Sequence, residues 1–190
     1  ALQLARQLND ADLIHNIYVR LADMHGLIGN NDSTKYYLNK AFSHFRTKDD
    51  LKLLTRLYLL YMSHFYSLEQ FDSAELKLAE GLAYLRTKDD PKQLGQILMY
   101  YGRHFSYKLN DCDTGLPYLL EAYETFRSCG DTLTSQYIFL NEELGLCFAT
   151  SKSYEQAYKR FREAFYKKYE LERKENKDLT RALETKYQAR

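Results

Sequence analysis

The segment Ala41-Phe-Ser-His-Phe-Arg-Thr-Lys-Asp-Asp50 returns 40 positions downstream as Gly81-Leu-Ala-Tyr-Leu-Arg-Thr-Lys-Asp-Asp90. Displaced 40 positions upstream, the same window is Ala1 to Asp10, which again ends in a polar Asn9-Asp10 pair. A unit of this length cannot enclose a core alone, so neighbouring units must stack to bury their apolar faces. On this register the expected organisation is a remnant second helix over 1–10 and repeats over 11–50, 51–90, 91–130 and 131–168. An extended helical linker toward a further domain is expected over 169–190.

Within each unit the apolar residues recur at helical spacing. Tyr18, Leu21, Ala22 and His25 share one face, and Thr34, Leu38 and Ala41 another. The second unit has Tyr58, Tyr61, Met62 and Phe65, then Ala74, Leu78 and Gly81. The third has Leu98, Tyr101, Gly102 and Phe105, then Gly115, Leu119 and Ala122, with one extra residue assigned to its turn. The fourth has Leu144, Gly145 and Phe148, then Ala157, Phe161 and Ala164. Two antiparallel helices approach closely only where one presents Gly or Ala and a large partner side chain fills the space. Candidate N-caps for the second helices are Asp32 or Ser33, Asp72 or Ser73, Asp113 or Thr114, and Ser153.

The composition fits a packed, soluble helical chain: 45% of the 190 residues are hydrophobic and only two are Pro. Near-equal numbers of basic (27) and acidic (26) side chains remove the electrostatic case for direct nucleic-acid binding. No apolar run approaches the roughly 20 residues that span a bilayer, and the first residues lack the pattern of a signal peptide. Cys112, Cys129 and Cys147 are odd in number and far apart, without disulfide or metal-knuckle spacing. A cytoplasmic, reducing setting with buried or half-buried thiols is the expectation.

Leu144-Gly145, Phe148, Ala157, Phe161 and Ala164 stand at consensus offsets of the tetratricopeptide repeat, which the chain resembles over nearly its whole length. That resemblance implies an all-α, right-handed α-solenoid of antiparallel helix pairs with a long C-terminal helix. The chain departs from the pattern in its period, near 40 rather than about 34 residues, and in lacking Trp and the helix-ending Pro.

No motif for catalysis is present: HExxH, GxSxG and phosphate-loop patterns are absent, and Gly26-Leu-Ile-Gly29 has no flanking strand pattern. His64 and His104 stand 40 residues apart, a spacing that the repetition itself explains, while His15, His25 and His44 are scattered. Glu142 and Glu143 are adjacent on a helix, hence about 100° apart, which is unsuited to a carboxylate pair. The segment is therefore expected to be non-enzymatic, with no catalytic residues, cofactor or metal.

By analogy with the family, the first helix of each pair lines a concave groove. The corresponding residues are Asn16, Val19, Arg20 and Asp23; Arg56, Leu60, Ser63 and Tyr66; Gln96, Tyr100, Arg103 and Tyr107; and Phe139, Glu142 and Leu146. Arg and Tyr are enriched where peptides bind, so Arg20, Arg56 and Arg103 are candidates to hold ligand carboxylates. The alternative is that these arginines pair with neighbouring acids on a solvated face. The Lys/Asn clamp of chaperone-associated members is not reproduced, since Val19 and Asp23 occupy its places.

From Ser153 to Arg190 there is neither Gly nor Pro, which predicts one helix of about 35 residues, near 50 Å long. Leu179, Leu183 and Tyr187 are candidates for homodimerisation or for contact with a linked domain. This charged tail resembles linkers in bacterial sensors that place such repeats before a diguanylate cyclase or histidine kinase. The expected function is a peptide- or protein-binding regulatory module of a bacterial signalling protein. A peptide-pheromone-responsive transcription regulator and a rigid assembly scaffold are the alternatives.

Overall fold

The computed structural model of the chain describes residues 2–188, and the side chains of Arg6, Tyr187 and Gln188 fall outside that description. Tyr187, one of the residues assigned to pairing, thus lies outside the described residues. Among the described residues every regular element is helical. The chain divides into two compact units, the first running to Tyr101 and the second starting at Gly102.

The first unit holds α1 (Leu2–Gln7), α2 (Ala11–Leu27), α3 (Asn31–Lys48), α4 (Leu51–Ser67), α5 (Phe71–Leu85) and most of α6 (Pro91–Arg103). Consecutive helices pack together, α2 on α3, α3 on α4 and α4 on α5. The second unit holds the end of α6, a π-helical segment (His104–Lys108), α7 (Cys112–Ser128), α8 (Ser135–Thr150) and α9 (Tyr154–Gln188). There α7 packs on α8 and α8 on α9.

Small residues set how closely the paired helices approach. A Cβ on Gly81 would stand 2.8 Å from the Tyr58 ring, and one on Gly145 would stand 2.8 Å from the Phe161 ring. Each ring occupies the space that a larger residue opposite would need. Gly115 and Gly102 meet backbone to backbone: a Cβ on Gly115 would lie 2.6 Å from the Gly102 carbonyl oxygen.

Local chemistry explains where the helices stop. Each turn inside a pair is three residues long, and its middle residue is left-handed: Gly29 (φ 74°), Glu69 (φ 56°), Asn110 (φ 52°) and Lys152 (φ 61°). The third residue then starts the next helix. Asn30 accepts from the Ser33 amide and Asp111 from the Thr114 amide, whereas Gln70 makes no side-chain cap. The caps at Asn30, Gln70 and Asp111 therefore precede the expected Asp32 or Ser33, Asp72 or Ser73 and Asp113 or Thr114. The left-handed residue closes the preceding helix so tightly that the residue after it is already positioned to cap. Ser153 occupies the corresponding place before α9, and its carbonyl receives the Ala157 amide. The first helices of three pairs are capped by Asp10, Asp50 and Asp90, which accept from Leu13, Leu53 and Gln93 amides at 2.9 to 3.0 Å.

The extra residue of the third unit is not in its turn. Leu109–Asp111 is as short as the other turns, and the added residue widens the helix into the π segment His104–Lys108. The backbone records the insertion: Asp111 donates to the Phe105 carbonyl six residues back, whereas Gln70 and Ser153 reach five back, to Phe65 and Phe148. A single π turn absorbs one residue without breaking the helix or lengthening the loop.

The thiols differ from one another. Cys147 is buried, and burial together with contact from Cys112 pushes its pKa up to about 12. Cys129 is exposed, against expectation, because it caps the solvent-facing end of α7, where its thiol donates to the Phe126 carbonyl.

Candidate functional site

Four of the expected groove residues come together in the first unit, on α2 and α4. Asp23 and Arg56 form an ion pair at 3.0 Å, with both side chains about half exposed. Leu60 and Ser63 lie one and two turns further along α4 and, with Asp23, line a cleft of about 80 Å³. Thr34, His64 and Ser67 complete much of its polar wall. The Thr34 hydroxyl donates to the Asn30 carbonyl at 2.8 Å, and Ser67 donates to the His64 carbonyl at 2.7 Å. His64 is only 4% exposed, and its Nδ1 has no hydrogen-bond partner among the described residues. Burial first, and the Lys35 charge second, hold its pKa below 6.5, so the imidazole is neutral near neutral pH.

The other expected residues of this unit stay outside the cleft. Asn16 turns back on its own helix and donates to the Asp12 carbonyl at 3.0 Å. Val19 is buried in the core, a correction to its assignment to the groove. Its apolar side chain gains more from packing than from solvent. Arg20 is exposed. Tyr66 is half-buried, with its ring edge-on to Phe71 at 5.8 Å. Gln96 and Tyr100 are half-buried on α6.

In the second unit Arg103 is anchored. Its Nε donates to Glu143 Oε1 at 3.1 Å, and its guanidinium lies 4.8 Å from the centres of both the Tyr107 and Phe139 rings. The Glu143 side chain is 7% exposed. Burial pushes its carboxyl above 4.5, and Arg103 opposes that rise. Adjacent residues on one helix thus have opposite fates: Glu142 faces solvent and Glu143 enters the packed face of α8. By the family offsets Glu142 belongs to the groove and Glu143 has no role. The available signal was the helical phase of α8, where Glu143 adjoins Leu140, Leu144 and Cys147, all buried.

Glu142 instead borders a shallow groove of about 320 Å³ between α8 and α9, with Phe139, Lys168, Leu171 and Glu175. Leu146 is exposed, as are Leu179 and Leu183 on the distal part of α9. Among the described residues no three His, Cys, Asp or Glu side chains gather as metal ligands. Among the same residues no helix is long and apolar enough to cross a membrane.

No protein-family model matches the chain, and no curated protein matches it. Solved structures do. The chain superposes on a signal transduction ATPase with numerous domains, a protein with a tetratricopeptide repeat sensor, from Pyrococcus horikoshii. The TM-score is 0.71 at 20% identity, over 92% of this chain and 27% of that one. BtubC (BKLC) from P. vanneervenii is similar with a TM-score of 0.75 at 19% identity, over 90% of this chain and 70% of that one. The likeness is one of fold. The chain thus spans about a quarter of the length of the ATPase it resembles.

Proposed function

We propose that this chain is a non-catalytic, cytoplasmic regulatory module of a signalling protein, built as a right-handed tetratricopeptide-like solenoid with a period near 40 residues. In this reading the exposed surface of α2 and α4 binds a peptide or protein segment. The distal end of α9, with Leu179 and Leu183, meets a linked output domain of the diguanylate cyclase or histidine kinase kind.

The Asp23–Arg56 pair beside the cleft carries the reading. A half-exposed ion pair is held weakly, so a ligand carboxylate can take Arg56 from Asp23 at small cost, and the exchange places a neighbouring ligand group against Ser63 and His64. The sensor in the Pyrococcus horikoshii ATPase supports a regulatory role for a fold of this kind. Ligand binding transmits a signal only where one arrangement of the helices is bound better than another.

The test begins with selection of peptides from a random library on the wild-type chain, followed by fluorescence anisotropy. Arg56→Glu should weaken the selected acidic peptides by about tenfold or more. Arg103 is not a suitable partner in this test, because reversing it strands the buried Glu143. Selected peptides that bind Arg56→Glu unchanged would move the assignment to a scaffold without a ligand groove.

A further inference from the structure

One face of α9 is apolar, long and open. Tyr154, Tyr158, Phe161, Phe165 and Tyr169 fall within an arc of about 80° at 100° per residue. All five are exposed, Phe165 to 68%. The helix is held to its unit mainly by other sides, with Phe161 at the edge of the arc, one side of its ring against Gly145 and 39% of the residue exposed. Ala157 and Ala164 are buried, Arg160 lies 3.9 Å from the centre of the Tyr123 ring, and Glu163 accepts from Tyr123 and Tyr137.

Corresponding positions on two other helices show what such a face receives. Phe42 is the twelfth residue of α3, and its ring lies edge-on to Tyr58 and Tyr61 of α4 at 5.2 and 5.8 Å. Tyr123 is the twelfth residue of α7 and stacks on Tyr137 of α8 at 5.5 Å. Phe165 is the twelfth residue of α9, and no aromatic ring from another helix lies against it among the contacts of the described residues. An aromatic face of this kind is completed by an aromatic-bearing helix.

We propose that this face pairs with the same face of a second copy, antiparallel, about a two-fold axis near residue 163. The residues are self-complementary about that point. Phe161 meets the partner's Phe165, Tyr158 meets the partner's Tyr169, and the Tyr154 hydroxyl donates to the partner's Glu172, which lies on the same arc. In an antiparallel two-fold pair, equal flanks of the two helices face one another. Glu155 and Arg173 share one flank, about 40° beyond the aromatic arc, so each Glu155 meets the partner's Arg173. Both are exposed, and among the described residues Glu155 pairs with the solvated Lys159 at 2.7 Å. A parallel pair would instead set Glu172 against Glu172 within the arc, whereas the antiparallel pair brings the two like charges of Arg162 near one another only on the exposed flank.

The area suffices. Five aromatics, each contributing about half of its 150–250 Å², cover roughly 500 Å² per copy and about 1,000 Å² in the pair, the lower bound for a specific interface. In this register the partner's α9 begins opposite residue 172 and leaves Leu179 and Leu183 beyond the paired segment, so the proposed output contact and the self-contact are separate surfaces.

Sedimentation velocity on the full chain, from about 1 to 500 µM, should show a reversible dimer with micromolar dissociation. Phe165→Glu should weaken it by at least about thirtyfold while leaving unchanged the helical circular dichroism spectrum and, at concentrations where the wild type is monomeric, the melting. Glu155→Arg should weaken it less, and Glu155→Arg with Arg173→Glu should restore wild-type association, a rescue specific to the antiparallel register. The double variant Leu179→Glu with Leu183→Glu should dimerise as wild type. A chain monomeric throughout, a dimer indifferent to Phe165→Glu, a charge swap without rescue, or a dimer broken only by the leucine variant overturns the proposal. None of these outcomes bears on peptide capture at Arg56.

Discussion

Arg56 and Arg103 were indistinguishable as groove candidates in the sequence, yet each sits in a different physical setting. Arg56 meets Asp23 with both side chains about half in water. Arg103 meets Glu143 where the carboxylate is almost wholly desolvated, and two aromatic rings flank its guanidinium. Water competes for the first pair and not for the second, so the first is exchangeable while the second belongs to the packing. Assigning an arginine to a ligand therefore needs the solvation of its partner as well as its place on a helix.

The comparison is most exposed to failure at Arg103. Arg103→Ala leaves Glu143 buried without its cation, and the expected loss is about 3 kcal/mol by urea denaturation near neutral pH. The loss should shrink with acid. Burial raises the carboxyl above 4.5, so the native state favours the protonated form. The stability from that preference is present below 4.5 and is lost as pH rises through the raised value. Adding Glu143→Gln to Arg103→Ala should flatten this dependence. A loss independent of pH would mean that the aromatic contacts of Arg103, and not the buried charge, dominate.

The same contrast between crowded and open settings can be sharpened with glycines. Gly145→Ala pushes a methyl into the Phe161 ring and should cost about 1–3 kcal/mol in the same assay. At Gly26 the nearest atom to a new Cβ is Thr34 Cγ2 at 3.8 Å, an ordinary contact. Gly26→Ala should be neutral or should stabilise by up to about 1 kcal/mol through helix propensity. Equal effects at the two sites would show that the helix pair around Gly145 opens more readily than its geometry indicates.

The smallest effect is expected at Arg56. Arg56→Ala should change stability by less than about 0.5 kcal/mol, since both partners remain solvated. A loss approaching that of Arg103→Ala would erase the distinction between the two pairs and remove the physical basis for peptide capture at α4.

The legible part of the fold was that carried by short-range chemistry. Gly81 and Gly145 stand in the sequence at close-approach positions, and rings from the paired helices stand against them. The absence of Gly and Pro predicts the long final helix, and α9 runs from Tyr154 to Gln188. The N-caps were displaced because acidic residues of the first helical turn look like caps in sequence, while the left-handed residue that fixes the true cap carries no single identity, being Gly, Glu, Asn or Lys. The added residue of the third unit was assigned to its turn because loops usually take insertions, whereas here the helix took it.

For the candidate site, the offsets implied by the family resemblance include Asp23, Arg56, Leu60 and Ser63, which stand at or beside one cleft, yet they single out neither His64 nor Glu143. Both are polar side chains on packed faces, where a pattern of apolar spacing predicts none.

Helix lengths, three-residue turns and aspartate caps follow from residues within a few positions of one another, where backbone sterics and local hydrogen bonds dominate. Which glutamate is buried, which arginine remains exchangeable and which face of α9 stays open follow from atoms tens of residues apart. Desolvation depends on everything packed around a group, and linear order does not contain that sum until the helices have docked.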